Sequence, residues 1–570
     1  MVKIIKQTVS MQTRDGVRLD ADLYRPDTDE QLPILLMRQP YGREIASTVV
    51  YAHPRWYAAQ GYIVVIQDVR GRGTSEGEFD LFTHEMADGL DTINWVSQLP
   101  NSTEKVGMYG FSYQGMTQLY TAMHQPECLK AIAPAMVAYD LYSDWAYENG
   151  AFCLYANLAW AIQLAGETAR LEGNEAAYLE LSAAARILPV HGSIPANPEL
   201  LQRLAPGSFY HQWLHNSDSN AEYWHKRSPK YLLANIDLPI LHVGGWFDPY
   251  LRGTLNLHQT MVDQCTQPQH LLVGAWAHLP WGRKLGAINY GAEAQNPIDE
   301  IQIRWFDYWL KGKDTGLLTE SPICLFEMGS NQWREFNRFP HQQTSFYLAS
   351  DGLASIREDS GMLWQYEKEM IDPSPQAILA TDLSELVTEF DNNIDILVHD
   401  PWRPVSALGG HATYPGGSFE RSVLDSRSDI LTYTSAPLES DLHLIGAVTL
   451  EVYCSTENPS FDLCAVLSTV NPAAEVFNFT QGYIRINSSS LDAELVQIPL
   501  QATCICIGVG TSLRLSLSAA CFPAYPVNPG TGQLAHESRS IDNAIVTLSI
   551  YSGADYPSRL IMHCSSQQQS

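Results

Sequence analysis

A chain of 570 residues exceeds the roughly 250–300 that one hydrophobic core serves, so at least two domains are expected. Its 63 acidic against 35 basic residues give a net charge of −28, which repels phosphate backbones and anionic membranes and argues against nucleic acid as a partner.

The amino terminus, Met1-Val-Lys-Ile-Ile-Lys-Gln-Thr-Val-Ser10, enters strand-like alternation without an apolar signal core. No stretch approaches the ~18 apolar residues of a membrane span, so a cytoplasmic protein without a membrane partner is expected. Residues 1–144 alternate between strand and helix patterns. Leu32–Met37 and Tyr62–Ile66 are apolar strands and Ala87–Val96 has helical spacing, which predicts a mostly parallel sheet covered by helices, an α/β core. Asp68 ends one such strand, and with Arg70 and Arg72 close behind it reads as half of a buried ion pair that shapes the loop. Val106-Gly-Met-Tyr-Gly110-Phe-Ser112-Tyr113-Gln-Gly115 then places a serine between glycines, after an apolar run and before a helical one. That is the spelling of a nucleophile elbow, although glycine usually stands two residues after the serine, where Gln114 stands here.

Residues 145–232 change character. Ala151–Ala165 and Leu171–Ile187 are rich in Ala, Leu and Glu and predict a helical cap inserted between sheet strands. Such a cap supplies an acyl pocket and excludes water, and Tyr147, Phe152, Tyr155 and Trp160 are its aromatic candidates, with Glu148 a candidate for a substrate amine. Residues 233–319 resume the core. The strand at Ile240–Phe247 ends at Asp248, flanked by Trp246 and Tyr250 as further pocket candidates, and the strand at Gln269–Ala277 ends at His278. Serine, acid and histidine thus follow in the order of the α/β-hydrolases, each at the carboxyl end of a strand, where parallel sheets bind ligands. In that arrangement His278 takes the Ser112 proton and returns it to the leaving group, while Asp248 fixes the imidazole tautomer.

From residue 320 to 570 the helical signal vanishes. Ala447–Cys454, Ser512–Ser518 and Asn543–Ile550 alternate between Pro and Gly turns and predict an all-β sandwich. Asp400–Gly410 is the candidate loop to reach the pocket, and 565–570 reads as a disordered tail. Of ten scattered cysteines, Cys504 and Cys506 share one face of a strand; with no histidine cluster in sequence they read as buried thiols rather than a zinc site. No metal or organic cofactor is expected.

Ordered segments across the chain resemble the α/β-hydrolase family of cocaine esterase, α-amino acid ester hydrolases, glutaryl-cephalosporin acylases and X-Pro dipeptidyl-peptidases. They include Arg14-Asp-Gly-Val-Arg-Leu-Asp-Ala-Asp-Leu-Tyr24-Arg-Pro26, Gln39-Pro-Tyr41-Gly, Gln67–Gly77, Asp88–Trp95, Gly110-Phe-Ser112-Tyr113, Gly244-Gly-Trp-Phe-Asp248, Gly274-Ala-Trp-Ala-His278 and Arg304–Gly312. The resemblance implies an oxyanion hole made by the Tyr41 hydroxyl and the backbone N–H of Tyr113, a jelly roll for the carboxy-terminal domain, and a position for Trp160 similar to the cap tryptophan of cocaine esterase. A serine hydrolase of small ester or amide substrates, working through an acyl-enzyme, is expected. Dipeptidyl-peptidase and acyltransferase activities remain alternatives within the same chemistry, and a carbohydrate-binding role for the β domain one outside it. The oligomeric state stays open, a homodimer included.

Overall fold

The computed structural model describes residues 3–44, 48–234, 236–365 and 392–565; of the tail expected at 565–570, all but Ser565 lies outside the described residues. Strands β1 (Ile4–Gln12), β2 (Arg18–Pro26), β3 (Leu32–Gln39), β4 (Ile63–Asp68), β5 (Ser102–Phe111) and β6 (Leu129–Ala135) come first. A short hairpin, β7 (Tyr147–Glu148) and β8 (Ala151–Phe152), opens the cap. After it come β9 (Ile240–Phe247), β10 (Gln269–Ala277), a hairpin of β11 (Lys284–Leu285) and β12 (Ile288–Asn289), then β13 (Ile323–Glu327) and β14 (Gln332–Phe336). The ten-stranded sheet runs β1-β2-β4-β3-β5-β6-β9-β10-β13-β14 and is parallel from β4 through β13.

Helices cover both faces, which is why the central strands are buried along nearly their whole length and mostly apolar. Ile34 and Leu36 of β3 join one core with residues of α2 (Glu85–Ser97) and α3 (Tyr113–Ala122), while Leu35 and Met37 join the other with α1 (Pro54–Ala59) and Phe306 of the Ile298–Lys311 helix. All four side chains are fully buried, each burial contributing roughly 1.5–3 kcal/mol.

Between β6 and β9 the chain leaves the sheet for helices α4 (Leu154–Leu171), α5 (Glu175–Ala184), α6 (Glu199–Leu204), α7 (Phe209–His215), α8 (Glu222–His225) and α9 (Pro229–Leu232). β9 returns it to the sheet, and helix α10 (Leu251–Gln264) connects β9 to β10. Among the described residues, no helix is long and apolar enough to cross a membrane.

The sheet extends past residue 320, where sequence places the start of the β domain. β13 pairs in parallel with β10, Leu271 opposite Ile323, and β14 closes the edge. A short alternating strand carries no mark of which sheet it will join, so periodicity cannot locate this boundary. The remaining strands form an eleven-stranded β domain centred on Leu442–Thr456, which pairs with Ser490–Ile507, Val546–Ser552 and Arg559–Cys564. Its core is continuous with the catalytic half: Trp246, Leu271 and Leu325 belong to the same buried cluster as Leu444, Leu450 and Ile505.

Candidate active site

β5 carries apolar residues to Phe111, the chain reverses at Ser112, and α3 begins at Tyr113. Ser112 has φ 59° and ψ −126°, a conformation that costs a side-chain-bearing residue on the order of 1–3 kcal/mol. Its neighbours hold it there: its N–H donates to the Ala135 carbonyl at 2.8 Å and its own carbonyl accepts from Met116 at 2.9 Å. The departure from the usual spelling has a packing reason. A Cβ at Gly115 would lie 2.4 Å from Val137 Cγ1, so residue 115 must be bare for α3 to sit against the end of β6. Gln114 instead turns back, its Oε1 accepting from the Phe111 N–H at 3.2 Å.

Asp248 follows β9 and is fully buried; its Oδ1 lies 2.8 Å from His278 Nδ1. Burial raises the Asp248 pKa, and the His278 contact and the Tyr250 backbone N–H oppose that rise. Gln501 Nε2, from the β domain, donates to the carbonyls of Trp246 (2.8 Å) and Asp248 (3.1 Å) and braces this strand end. Asp68, which also ends a strand, is committed elsewhere. Its carboxylate takes Arg43 Nη1 at 2.5 Å and the Arg43 backbone N–H at 2.7 Å. The partner is therefore Arg43 rather than Arg70, which pairs with Asp88 and Asp15, or Arg72, whose guanidinium lies over the Phe79 ring at 3.9 Å.

Ser112 and His278 open into one cavity of about 660 Å³, walled by all three parts of the chain. The core contributes Tyr41, Phe111, Phe247 and Tyr250, the cap Trp145 and one face of α4, and the β domain residues 411–414 and Gly416. Residues 155, 156, 159, 160 and 163 fall on one side of α4, as 3.6-residue periodicity requires. Trp160 Nε1 donates to the Tyr41 hydroxyl at 3.1 Å, which also contacts the Ser112 hydroxyl. Burial pushes the Tyr41 pKa up to about 12, against the Trp160 hydrogen bond, so the phenol stays protonated at neutral pH. Tyr113 is anchored away from the cavity by its hydroxyl, which donates to Glu85 Oε1 at 2.7 Å. Its backbone N–H is a first-turn donor of α3 with no intrahelical acceptor.

Four pocket candidates do not line the cavity, and Tyr147 is the first: its hydroxyl donates to the Trp213 carbonyl at 2.9 Å inside the cap. Trp246 alternates with Phe247 on β9, so Phe247 reaches the cavity while Trp246 Nε1 donates to the Phe326 carbonyl at 2.7 Å inside the interdomain core. Phe152 sits in β8, before α4 begins, and packs edge-on to Tyr147 and Tyr210. Glu148 is buried in a closed network: Arg252 Nη1 lies 2.9 Å, His411 Nε2 3.0 Å and the Tyr525 hydroxyl 2.6 Å from its Oε2. The candidate loop at 400–410 is displaced as well; the segment that reaches the cavity begins at His411, and Trp402 bonds to the Ser540 carbonyl instead. Trp145, stacked on Trp160 at 5.1 Å and 4.1 Å from the Tyr250 ring, was not singled out in sequence, nor were His411 and Tyr414. The glycine pairs 409–410 and 416–417 that bracket the latter were the available signal.

The Glu148 network ties the cap hairpin to α10 and the β domain. Burial pushes its pKa up, but Arg252 and His411 outweigh burial and hold it at about 2, below the ordinary 4.5. A depressed folded-state pKa means stability that is complete above about pH 4.5 and fades as pH falls toward 2. Glu148→Gln strands Arg252 without its buried counter-charge and is expected to cost about 3–5 kcal/mol. Thermal melts should show the variant less stable at pH 7, with a smaller loss than the wild type between pH 4.5 and 2.

Two family models match the chain, "X-Pro dipeptidyl-peptidase (S15 family)" over residues 15–280 and "X-Pro dipeptidyl-peptidase C-terminal non-catalytic domain" over 315–561. Cocaine esterase from Rhodococcus sp. strain MB1 Bresler is 29% identical over 98% of both chains. The chain belongs to the cocaine esterase and X-Pro dipeptidyl-peptidase family. Members of this family are hydrolases of the serine type, and this chain is one of them. The fold has solved counterparts: an aminopeptidase from a marine sediment archaeon, Thaumarchaeota archaeon (TM-score 0.79, 21% identity, 99% of this chain and 97% of that one), and an alpha-amino acid ester hydrolase (0.76, 20%, 99% and 97%).

Proposed function

We propose that Ser112, His278 and Asp248 are the catalytic triad of an esterase whose acyl pocket takes a bulky apolar or aromatic acyl group. The observation that carries this reading is the Asp248–His278 contact of 2.8 Å in the cavity onto which the strained Ser112 opens. His278 accepts the Ser112 proton at Nε2 as the hydroxyl attacks the ester carbonyl, and Asp248 holds the proton on Nδ1. Collapse of the tetrahedral intermediate expels the alcohol, protonated by His278; water activated by the same imidazole then releases the acid.

The oxyanion falls to the Tyr41 hydroxyl and the Tyr113 N–H. Because Trp160 donates to the Tyr41 oxygen, the phenolic hydrogen is directed away from Trp160 and toward Ser112. Tyr41→Phe is expected to lower kcat by about 10²–10³-fold while KM changes by no more than a few-fold, measured on a p-nitrophenyl ester.

Pocket chemistry favours esters over peptides with a free amino terminus. Trp145, Tyr155, Trp160, Tyr250 and Tyr414 supply aromatic walls, and among the described residues that line the cavity there is no Asp or Glu to hold an ammonium. Glu148, the sequence's candidate for a substrate amine, is already neutralised by Arg252. A panel of p-nitrophenyl esters, aminoacyl esters and Xaa-Pro anilides tests the preference. Aromatic acyl esters should turn over at least about 100-fold better in kcat/KM than Xaa-Pro anilides, since an unanswered buried charge costs several kcal/mol. Preference for the anilides would overturn this reading in favour of the exopeptidase.

A further inference from the structure

Away from the cavity, where the edge hairpin β13–β14 meets the β domain, three metal-ligating side chains converge. His443 and Cys506 are directly opposite each other in the antiparallel pair of Leu442–Thr456 with Ser490–Ile507, and His443 Nε2 lies 4.0 Å from Cys506 Sγ. Asp441 precedes the first strand, its Oδ1 accepting from the Val509 N–H at 2.9 Å, which ties it to the turn after Ile507. One ligand atom from each of the three lies within 4.8 Å of the others.

A carboxylate behind the histidine adds a second, independent feature. Glu327, at the end of β13, accepts from His443 Nδ1 at 2.7 Å and is itself held by Arg334 and Ser330. With the Nδ1 proton committed to Glu327, the Nε2 lone pair faces Cys506, the tautomer a metal requires. A plain His–Glu pair would account for Nδ1 alone; it would not bring a thiol and a third ligand to the other nitrogen.

We propose that Asp441, His443 and Cys506 bind a zinc ion that pins the turn after Ile507 to the start of the strand Leu442–Thr456, with Glu327 from the edge of the catalytic sheet orienting His443. Thiolate, imidazole and carboxylate suit zinc, whose bonds of about 2.0–2.3 Å require the ligand atoms to close by less than ~1.5 Å, and the fourth position falls to water. Asp441 is exposed and sits outside the strand, so it can supply that movement. Zinc binds the thiolate, so the Cys506 proton leaves to solvent as the Zn–S bond forms.

The test uses the full chain, stripped with EDTA under a reductant. Equilibrium dialysis should retain one zinc per chain, cobalt(II) should give a thiolate-to-cobalt charge-transfer band, and zinc should raise the melting temperature. Cys506→Ser should abolish the band and the zinc-dependent melting shift, and Glu327→Gln should weaken zinc binding about 10–100-fold. Unchanged ester turnover reports that the variants are folded. A wild-type protein with no cobalt–thiolate band, or zinc binding indifferent to Cys506→Ser, overturns the proposal.

Discussion

Ser112→Ala is expected to lower kcat/KM toward a p-nitrophenyl ester by roughly 10⁴–10⁶-fold and to abolish labelling by a fluorophosphonate. In the proposed mechanism the serine is the one group that forms the covalent bond, so its loss leaves only binding and whatever the oxyanion donors do for attack by water. The fold should survive. Alanine at φ 59° is no more strained than serine, and the backbone contacts to Ala135 and Met116 do not involve the hydroxyl. The same position offers a second reading of the geometry: Ser112→Ala also removes the hydroxyl in contact with Tyr41, but an oxyanion donor lost alone costs only about 10²–10³-fold. A residual activity within 10³-fold of the wild type would therefore place the nucleophile elsewhere.

Asp248→Asn should lower kcat/KM by about 10⁴-fold without loss of stability, and the separation of the two effects is the informative part. The amide keeps the shape of the carboxylate, but its oxygen and nitrogen cannot both serve His278 and the Tyr250 N–H as the carboxylate does. An amide NH₂ turned toward Nδ1 forces the proton onto Nε2, where the imidazole can no longer accept from serine. Stability moves the other way. The carboxylate is fully buried, no Lys or Arg among the described residues is bonded to it, and burial raises its pKa, so folding carries a desolvation cost that the neutral amide relieves. An equal or higher melting temperature together with the rate loss is the expected pair of results. A variant that loses activity only because it unfolds would show that Asp248 is structural.

Much of the catalytic half was legible because its signals are local. The elbow is written in Gly110, Ser112 and Gly115, and the strands ending at Asp248 and His278 are mostly apolar along both faces, as suits a sheet buried on both sides. The cap helices appeared as composition, although the Phe152 segment belongs to β8 rather than to α4. Pocket aromatics were harder. Trp246 and Phe247 are adjacent and equally apolar, and only the phase of β9 against the cavity separates wall from core. Glu148 has the charge to anchor an ammonium, but its neutralisation by Arg252 depends on a residue 104 positions away.

By itself the sequence determined the hydrolase core, the strand ends at which Ser112, Asp248 and His278 follow one another, and the presence of a helical insertion and a β-rich carboxy-terminal part, since each follows from periodicity or from a backbone requirement spelled within ten or so residues. The tertiary structure alone decided which acid is paired with which cation, where the first sheet ends, and that residues 411–416 close the pocket. It also set His443 opposite Cys506, residues that lie 63 positions apart. Contacts across such separations depend on how strands pair and domains pack, and neither pairing nor packing leaves a local mark in the chain.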